Sequence, residues 1–500
     1  MLFNSLEFML FFPIVVFVYF IIPKKIRYIW LLITSYFFYM SWNPVYVLLM
    51  AFSTLVTFLS GIALDKVSHI KGEDSIVLKR GIVSISFIIN IGILVGFKYF
   101  SFLLENLNWL LEKVHISIVY NPFSLLLPVG ISFYTFQALS YTMDVYRGEV
   151  EVEHNFFRYA LFVSFFPQLV AGPIERSGHL LEQVNTTPEG KLWNYDRIAN
   201  GCILMAWGFF QKMVIADRIA ILVDTVFESY YLYGTVILIV GAAGFALQIY
   251  CDFASYSTIA IGAAQIMGFE LMENFNAPYF ACSIREFWRR WHISLSTWFR
   301  DYLYIPLGGN RCSKWRQYRN TFITFLVSGL WHGANWTYIL WGGIHGCYQI
   351  IGMELKPWKD RLNQRLHTNT ESISYKLGQI AITFCLVDFA WIFFRSDTLK
   401  DALYYIYRIL TRWDLWTLFD ESLYNLGLNR FEMNILYVSL LVLLLVDLVR
   451  YKKGQRIDVF LAEQCIWFRW MVVFGLIFAV IIFGMYGPAF DAQQFIYFQF

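Results

Sequence analysis

The sequence predicts an all-α protein that crosses a membrane many times, and three observations lead to this prediction. Only 15% of the 500 residues are charged, whereas 58% are hydrophobic and 20% are aromatic. Soluble chains usually have about a quarter of their residues charged. The apolar residues form long runs, and about 20 such residues in a helix span a bilayer. The seven cysteines stand singly, which argues against a disulfide scaffold or a cysteine metal site.

The apolar runs set the expected number of spans. Residues 1–22 have no basic n-region and no cleavage site, so we expect a retained first span rather than a signal peptide. Further runs lie at 28–42, 44–64, 81–104, 123–146, 156–174, 198–216, 233–268, 320–353, 376–394, 431–449 and 466–487. Several are too long or too interrupted for one simple span, so we expect about 11 crossings plus re-entrant and interfacial helices. No interdomain linker appears, so residues 1–487 are predicted to form one membrane domain, followed by a tail at 488–500.

The basic residues predict the orientation, because loops rich in Lys and Arg stay in the cytoplasm. Such residues cluster in four segments, 23–27, 65–80, 354–376 and 450–456. The turn at 41–44 and the tail at 488–500 contain none. We therefore expect both the N-terminus and the C-terminal tail outside the cytoplasm.

One apolar run contains a histidine, and ionisable groups at membrane depth are functional candidates. His332 lies between Gly329 and Gly333, which break a helix or let another backbone approach closely. Asn335 is three residues further on and would share a helical face with His332. His345 is rotated by roughly 220° on an ideal helix, so we expect it to be a packing residue.

A second candidate segment lies at 284–302 and mixes aromatic residues with arginines. Its aromatic and apolar residues recur at steps of three and four, at Trp288, Trp291, Leu295, Trp298 and Tyr302. His292 lies beside this stripe, and Arg289 and Arg290 lie between its members. The pattern predicts an amphipathic helix that lies at the interface or dips into the membrane, with its arginines near phosphates or an anionic ligand. A plain interfacial helix has the same composition, so both interpretations stay open here.

The chain ends in six uncharged residues, 495–500, of which four are aromatic. An interfacial aromatic anchor is one interpretation of such a tail. The sequence also lacks the HExxH, GxSxG, GxGxxG and P-loop motifs, so zinc-peptidase, serine-hydrolase and nucleotide-binding folds have no support.

Four segments together resemble the membrane-bound O-acyltransferase (MBOAT) family, most closely its bacterial branch that acylates alginate, peptidoglycan and teichoic acid. They are 128–147, 165–176, 285–311 and 331–336, and the resemblance covers about 120–340. It implies a helical fold around a central tunnel. The family's catalytic histidine matches His332, and its second histidine matches His292. At Ser255 and Thr258 the family often has Gly and Asp, which weakens a supporting role for that stretch.

The resemblance also implies roles for neighbouring residues. His332 would act as general base, and His292 would orient or polarise the donor carbonyl. The expected tunnel and donor-binding residues are Trp331, Asn335, Trp336, Arg289, Arg290 and Trp288, with Asp252 and Tyr256 in support. No metal and no bound cofactor are expected. The donor would be acetyl-CoA or an acyl carrier thioester.

The tail is similar to the C-terminal motif of a small protein that accompanies teichoic-acid D-alanylation, and its acyl-accepting tyrosine matches Tyr497. The implied activity is O-acetyl transfer across the bacterial cytoplasmic membrane. A separate extracytoplasmic acetyltransferase of the SGNH-hydrolase type would then acylate a cell-surface polysaccharide.

Three alternatives stay open from the sequence. The first is D-alanyl transfer, or acylation of a lipid, within the same family. The second is export of a polysaccharide or a lipid-linked sugar, although we see no inverted repeats of the kind that transporters contain. The third is a purely structural assembly subunit, which would require His332 to be dispensable.

Overall fold

The computed structural model describes residues 1–69, 73–119, 128–169, 172–186 and 192–486. Within these ranges the regular secondary structure is helical, without a strand, which confirms the predicted all-α class. The chain divides into two compact units. The first comprises Met1–Cys202 and Ala260–Met272, and the second comprises Ile203–Ile259 and Glu273–Phe500.

The first unit contains nine complete helices within the described ranges. They are α1 (Leu6–Ile21), α2 (Arg27–Met40), α3 (Tyr46–Ser68), α4 (Glu73–Leu94), α5 (Phe100–Lys113), α6 (Ile131–Arg147), α7 (Phe156–Ser164), α8 (Phe166–Leu169) and α9 (Ser177–Thr186). Aromatic packing joins α1, α2 and α8, since the Phe38 ring lies 6.3 Å from Phe8 and 5.8 Å from Phe166. The Tyr159 hydroxyl on α7 donates to Thr57 on α3 at 2.8 Å. The bond gives this hydroxyl a partner, which lipid tails cannot provide.

The remaining helices belong wholly or partly to the second unit. They are α10 (Tyr195–Phe209), α11 (Asp217–Glu228), α12 (Thr235–Met267), α13 (Ile284–Arg290), α14 (Ile293–Phe299), α15 (Lys314–His332), α16 (Trp336–Arg365), α17 (Ile373–Arg395), α18 (Leu399–Thr411), α19 (Arg430–Lys453), α20 (Ile457–Ala462) and α21 (Ile466–Phe483). Parts of α10 and α12 fall in the first unit. The π-helical segment Phe210–Ala216 joins α10 to α11.

The core of the second unit is built on three fully buried tryptophans. Trp391 on α17 stacks against Trp341 on α16 at 5.5 Å, and it also contacts Trp291 at 5.1 Å. Trp291 directly follows α13. Burying such large rings supplies much of the packing contact in a core, so these three residues hold α16 and α17 against the α13–α14 segment.

Several helices are suited to a lipid environment. Seven helical stretches in the described part of the chain are long and apolar enough to cross a membrane, and α1 is a shorter apolar helix. In α21, Leu476 is the only buried residue, while large apolar side chains elsewhere on the helix face outward. Outward apolar side chains are favourable in lipid and costly in water. The protein is therefore a multi-pass membrane protein, and the number of about 11 crossings remains a prediction.

Candidate active site

The apolar run around His332 is broken into two helices that pack closely. α15 ends at His332, and Asn335 caps α16 by accepting a hydrogen bond from Thr337 N at 3.0 Å. A Cβ atom on Gly329 would lie 2.2 Å from the carbonyl oxygen of Tyr338. The prediction that Gly329 permits a close backbone approach is confirmed. The prediction that His332 and Asn335 share a helical face is wrong, because the helix ends between them.

His332 lies at the tip of this hairpin and is only 4% exposed. Its ring is surrounded by aromatic rings, with centroid distances of 5.0 Å to Trp331, 5.1 Å to Trp341 and 5.4 Å to Phe394. The C-terminal end of a helix favours a positive charge, because the helix dipole is negative there. An imidazolium formed at His332 would be stabilised by α15 in this way.

The second candidate segment is also broken, at His292. α13 ends at Arg290, and α14 begins at Ile293. His292 has φ = 43°, a left-handed conformation that costs a non-glycine residue of the order of 1 kcal/mol. The predicted single amphipathic helix over 284–302 is therefore wrong. The break turns the His292 side chain into the protein, where it is 1% exposed.

Asn274 fixes His292, and the sequence reasoning missed it. Asn274 Oδ1 accepts from the backbone N–H of Ser294 at 3.3 Å and from its hydroxyl at 2.7 Å. Because that N–H can only donate, this atom is the amide oxygen. His292 Nδ1 lies 3.3 Å from the same oxygen and must donate to it. The amide nitrogen of Asn274 donates to Ser257 Oγ at 3.0 Å.

This arrangement determines the chemistry available to His292. With the proton on Nδ1, Nε2 of the neutral ring can accept a hydrogen bond and cannot donate one. His292 lies outside the seven candidate spans, and burial lowers its pKa to about 3. It therefore stays neutral near pH 7. In this tautomer Nε2 has no proton to donate, so the expected polarisation of the donor carbonyl by His292 is not supported.

The two histidines lie side by side in the second unit. Their ring centroids are 6.4 Å apart, and Trp331 lies 6.1 Å from His292. Phe253 covers His292 from α12 at 4.5 Å. A hydroxyl group could therefore be received by two neighbouring imidazoles in an apolar, aromatic setting.

A cavity of about 450 Å³ lies in the same unit, and Ile293, the residue after His292, lines it. Three arginines line it, Arg285, Arg289 and Arg300, together with apolar side chains that include Trp288. Ser328, one helical turn before His332, also lines the cavity. Arginine suits phosphate recognition because its planar donors match phosphate oxygens, so this cavity can accommodate an anionic ligand with an apolar portion.

The expected donor-binding residues divide into two groups. Trp288 and Arg289 line the cavity. Arg290 instead donates to Glu286 at 2.9 Å and to the carbonyl oxygen of Asn276 at 3.1 Å. Its guanidinium group is thus engaged in holding α13 in place.

The three residues expected to shape the tunnel wall also differ in position. Trp331 is 4% exposed and contacts both histidines. Trp336 is 52% exposed at the start of α16. Besides capping α16, Asn335 donates to the carbonyl oxygen of Asp397 at 2.9 Å. Of these three residues, Trp331 is the one in the buried cluster.

His345 contacts the back of the cavity wall. It is fully buried, and its Nδ1 accepts from Trp288 Nε1 at 3.3 Å. The Trp341 ring lies 5.1 Å from both His332 and His345. The expectation of a packing histidine agrees with this position, and the hydrogen bond fixes the orientation of the Trp288 indole.

The expected supporting residues belong to a buried charge cluster. Asp252 accepts from Lys212 Nζ at 2.5 Å, and Asp217 lies 2.8 Å from the same nitrogen. All three side chains are at most 3% exposed, and the Tyr256 ring lies 5.8 Å from Lys212 Nζ. At Thr258, where the family often has Asp, the hydroxyl donates to the carbonyl oxygen of Ala254 on the same helix.

Lys212 was missed from the sequence, although a charged residue inside the apolar run 198–216 is a recognisable signal. Asn274 gave no such signal, because its partners lie far along the chain. Tyr497 lies outside the described residues.

Comparison with known proteins identifies the family to which the chain belongs. The profile of the membrane-bound O-acyltransferase family matches residues 149–393. A probable alginate O-acetylase AlgI of Pseudomonas aeruginosa is 39% identical over 448 residues, which is 89% of this chain and 80% of that protein. The chain therefore belongs to the membrane-bound O-acyltransferase family and is an acyltransferase.

Two further relatives have different acceptor polymers in their names. The peptidoglycan O-acetyltransferase of Helicobacter pylori is 35% identical over 75% of this chain and 72% of its own length. The teichoic acid D-alanyltransferase of Bacillus subtilis is 29% identical over 55% of this chain and 70% of its own length. The resemblance found in the sequence is thereby confirmed.

Proposed function

We propose that this enzyme transfers an acetyl group from a cytoplasmic thioester to the hydroxyl of Tyr497, with His332 as general base. The supporting observation is the buried pair of His332 and His292, whose ring centroids are 6.4 Å apart, in the same unit as an arginine-lined cavity that Ile293 and Ser328 border. His332 is assigned as the base because it lies at the C-terminal end of α15, where the helix dipole favours an imidazolium, whereas burial lowers the pKa of His292. His292, whose ring is held by Asn274, packs beside His332 and keeps this part of the site in place.

The reaction consists of one balanced acyl transfer. The tyrosine O–H gives its proton to His332 while its oxygen attacks the thioester carbonyl carbon. The C–S bond then breaks, and the leaving thiolate takes the proton from the His332 imidazolium. A tyrosine ester and a free thiol result, with no net proton uptake. Proton transfer by a positioned base typically contributes about 10²–10⁴-fold to the rate.

The donor occupies the cavity beside α13 in this proposal. Acetyl-CoA, or a phosphopantetheine thioester on a carrier protein, combines phosphate groups with a long uncharged arm. Arg285 and Arg289 meet the phosphates, and Trp288 packs against the arm. The donor is a substrate, so no resident cofactor is required.

Moving only the acyl group across the membrane is energetically reasonable. A multiply charged thioester donor would pay a large desolvation penalty in hydrocarbon, whereas an acetyl group is small and neutral. In this scheme the donor stays in the cytoplasm, and the tail presents Tyr497 from the extracytoplasmic face of the bacterial membrane. An SGNH-type acetyltransferase then moves the group to a cell-surface polysaccharide, a class of acceptor suggested by the names of the relatives.

The variant His332→Gln tests the general base. Reconstituted protein is supplied with radiolabelled acetyl-CoA, and label bound to the protein is measured. We expect a loss of at least 100-fold with an unchanged melting temperature, because glutamine preserves size and polarity but cannot accept the proton. His179→Gln is the control, since His179 pairs with Glu175 in the first unit. Retention of transfer by His332→Gln would refute the assignment.

The same experiment identifies the acyl group. The mass of the adduct separates acetyl from D-alanyl, which is the transfer named for the Bacillus subtilis relative.

A further inference from the structure

His345 is a buried histidine that the proposed acyl transfer does not use. It lies in α16 and is 0% exposed. Aromatic rings from α13, α15 and α16 surround it at centroid distances of 5.1 to 6.4 Å. Burial in such a setting removes the ring nitrogens from water, so the polar contact that His345 makes with the protein is the place to look for its role.

That contact is with Trp288 on α13. The indole nitrogen Nε1 of Trp288 donates to Nδ1 of His345 at 3.3 Å. Because an indole N–H can only donate, Nδ1 is the accepting nitrogen, and the proton of the neutral imidazole lies on Nε2. A doubly protonated imidazole would carry a proton on Nδ1 and could not accept this bond. The contact therefore requires His345 to be neutral.

The direction of this bond determines which part of Trp288 faces the arginine-lined cavity. Trp288 lines the cavity, whereas His345 lies behind the wall and does not line it. The indole N–H is the only polar group of the Trp288 side chain, and it is directed at His345, so the cavity side of the ring presents carbon atoms. The Phe325 ring lies 5.2 Å from Trp288 and lines the same cavity. The two rings form an apolar patch on a wall that also contains Arg285 and Arg289.

Loss of the acceptor on α16 would change this wall. A buried N–H without a partner carries a desolvation penalty. The Trp288 indole could recover a hydrogen bond by turning its N–H towards the cavity, where a ligand or a water molecule could accept it. Such a turn would place a polar group where the apolar patch now lies.

We propose that His345 is a positioning residue for the acyl donor, because it holds Trp288 with the apolar side of the indole against the uncharged arm of the thioester. This inference rests on the proposed function, which places the donor in this cavity. The arm of a phosphopantetheine thioester contains methylene and methyl groups, which favour contact with a carbon surface. The phosphates are met by Arg285 and Arg289 instead. His345 should therefore affect binding of the arm and not binding of the phosphates.

Two ligands separate the arm from the phosphates. CoA contains both, whereas adenosine 3′,5′-bisphosphate contains phosphates without the arm. Equilibrium binding of each radiolabelled ligand is measured with protein in lipid nanodiscs. We expect His345→Leu, which removes the acceptor, to weaken CoA binding by about tenfold and to leave bisphosphate binding unchanged. The KM for acetyl-CoA should rise by a similar factor while kcat stays within about twofold of the parent value, because the substrate and the transition state share the lost contact.

Two further variants test the hydrogen bond itself. His345→Asn keeps an acceptor near the position of Nδ1 and should recover most of the CoA affinity. Trp288→Phe removes the donating N–H, so adding His345→Leu to it should weaken CoA binding by less than about twofold. Tyr405→Phe is the matched control, because it also removes one buried hydrogen bond in the second unit, to the carbonyl oxygen of Leu238 at 2.7 Å. It should change the affinity for neither ligand.

Three results would overturn the role of His345 while leaving the proposed function intact. The first is an unchanged CoA affinity in His345→Leu protein. The second is an equal loss of affinity for both ligands. The third is a fall in kcat that matches the rise in KM, which would indicate disturbed packing around Trp341 and His332, whose rings lie 5.1 Å apart.

The proposed function has its own failure in the same experiment. If the parent protein binds CoA without transferring an acetyl group, the acyl transfer is wrong, and the two binding measurements still decide the role of His345. If the parent protein binds no CoA, the cavity is not the donor site, and the role of His345 fails with it.

Discussion

Replacing Asn274 tests whether the orientation of His292 matters for acyl transfer. The Asn274 side chain bonds to His292 Nδ1, to the N–H and hydroxyl of Ser294, and to Ser257 Oγ. Each neutral hydrogen bond contributes about 0.5–1.5 kcal/mol. Because three of the four share one acceptor oxygen, we expect Asn274→Ala to cost about 2–4 kcal/mol of folding free energy. A displaced imidazole should also lower kcat by about 100-fold.

Asn274→Asp separates positioning from stability. The carboxylate keeps an acceptor for His292 Nδ1–H and for Ser294, so much of the lost kcat should return. A carboxylate beside an imidazole favours the protonated form and raises its pKa. The pH profile of kcat should therefore shift to higher pH in this variant, an effect that a purely structural residue would not produce.

The assay is acetyl transfer from radiolabelled acetyl-CoA by protein in lipid nanodiscs, with kcat and KM measured separately between pH 5.5 and 8.5. Asn320→Ala is the control, because Asn320 is also fully buried in the second unit and donates to Gly309 O at 3.3 Å. If Asn274→Ala and Asn320→Ala lose the same amount of activity, or if Asn274→Asp leaves the pH profile unmoved, the positioning argument is refuted.

Three further predictions follow from the ionisable groups of the second unit. Arg289→Gln should raise the KM for acetyl-CoA by about fivefold to tenfold, and this increase should be larger at low salt. Arg290→Gln should mainly lower the melting temperature. Equal changes in KM for the two variants would contradict the assignment of the cavity. Lys212→Met should cost about 3–5 kcal/mol, because it leaves two buried carboxylates without their cation, and denaturant unfolding that shows no loss would exclude this role. Burial lowers the pKa of His292 to about 3 from 6.5, so below pH 6.5 the unfolded state binds the additional proton and stability falls by up to about 1.4 kcal/mol per pH unit. His292→Gln should weaken this acid sensitivity in melting curves between pH 6.5 and 5, and an unchanged slope would show that other groups cause it.

The sequence predicted the class of fold well, and it singled out His332 as a candidate, because both leave local signals. Scarce charge and long apolar runs follow directly from a lipid environment, and His332 was conspicuous within such a run. The closeness of α15 and α16 was also foreseeable, since Gly329 marks a place where a side chain would collide with a neighbouring backbone.

The sequence failed where long-range contacts override local pattern. The helical spacing of 284–302 predicted one continuous helix, yet the chain breaks at His292. There Asn274 O accepts from Ile293 N at 2.9 Å, and Asn276 N donates to Arg290 O at 2.9 Å. These bonds replace the i to i−4 backbone hydrogen bonds of a continuous helix, and the residue spacing within the segment does not predict them. The tautomer of His292 could not be predicted for the same reason, because it depends on the side-chain oxygen of Asn274.

The partners of the charged residues divide their roles. Arg289 and Arg290 are neighbours with the same side chain, yet Arg289 lines the cavity and Arg290 is held by Glu286. Asp252 likewise forms a buried ion pair with Lys212, which lies forty residues earlier in the chain.

The most direct test of the account is to find the acyl group on the tail. Cleavage before Asp491 releases residues 491–500, in which Tyr497 carries the only side-chain hydroxyl and no lysine is present. After a single turnover with acetyl-CoA, mass spectrometry should find one acetyl group on this peptide, and none in the His332→Gln or Tyr497→Phe protein. Acetylation of polysaccharide that proceeds at the normal rate in Tyr497→Phe protein, with the extracytoplasmic partner present, would contradict the account.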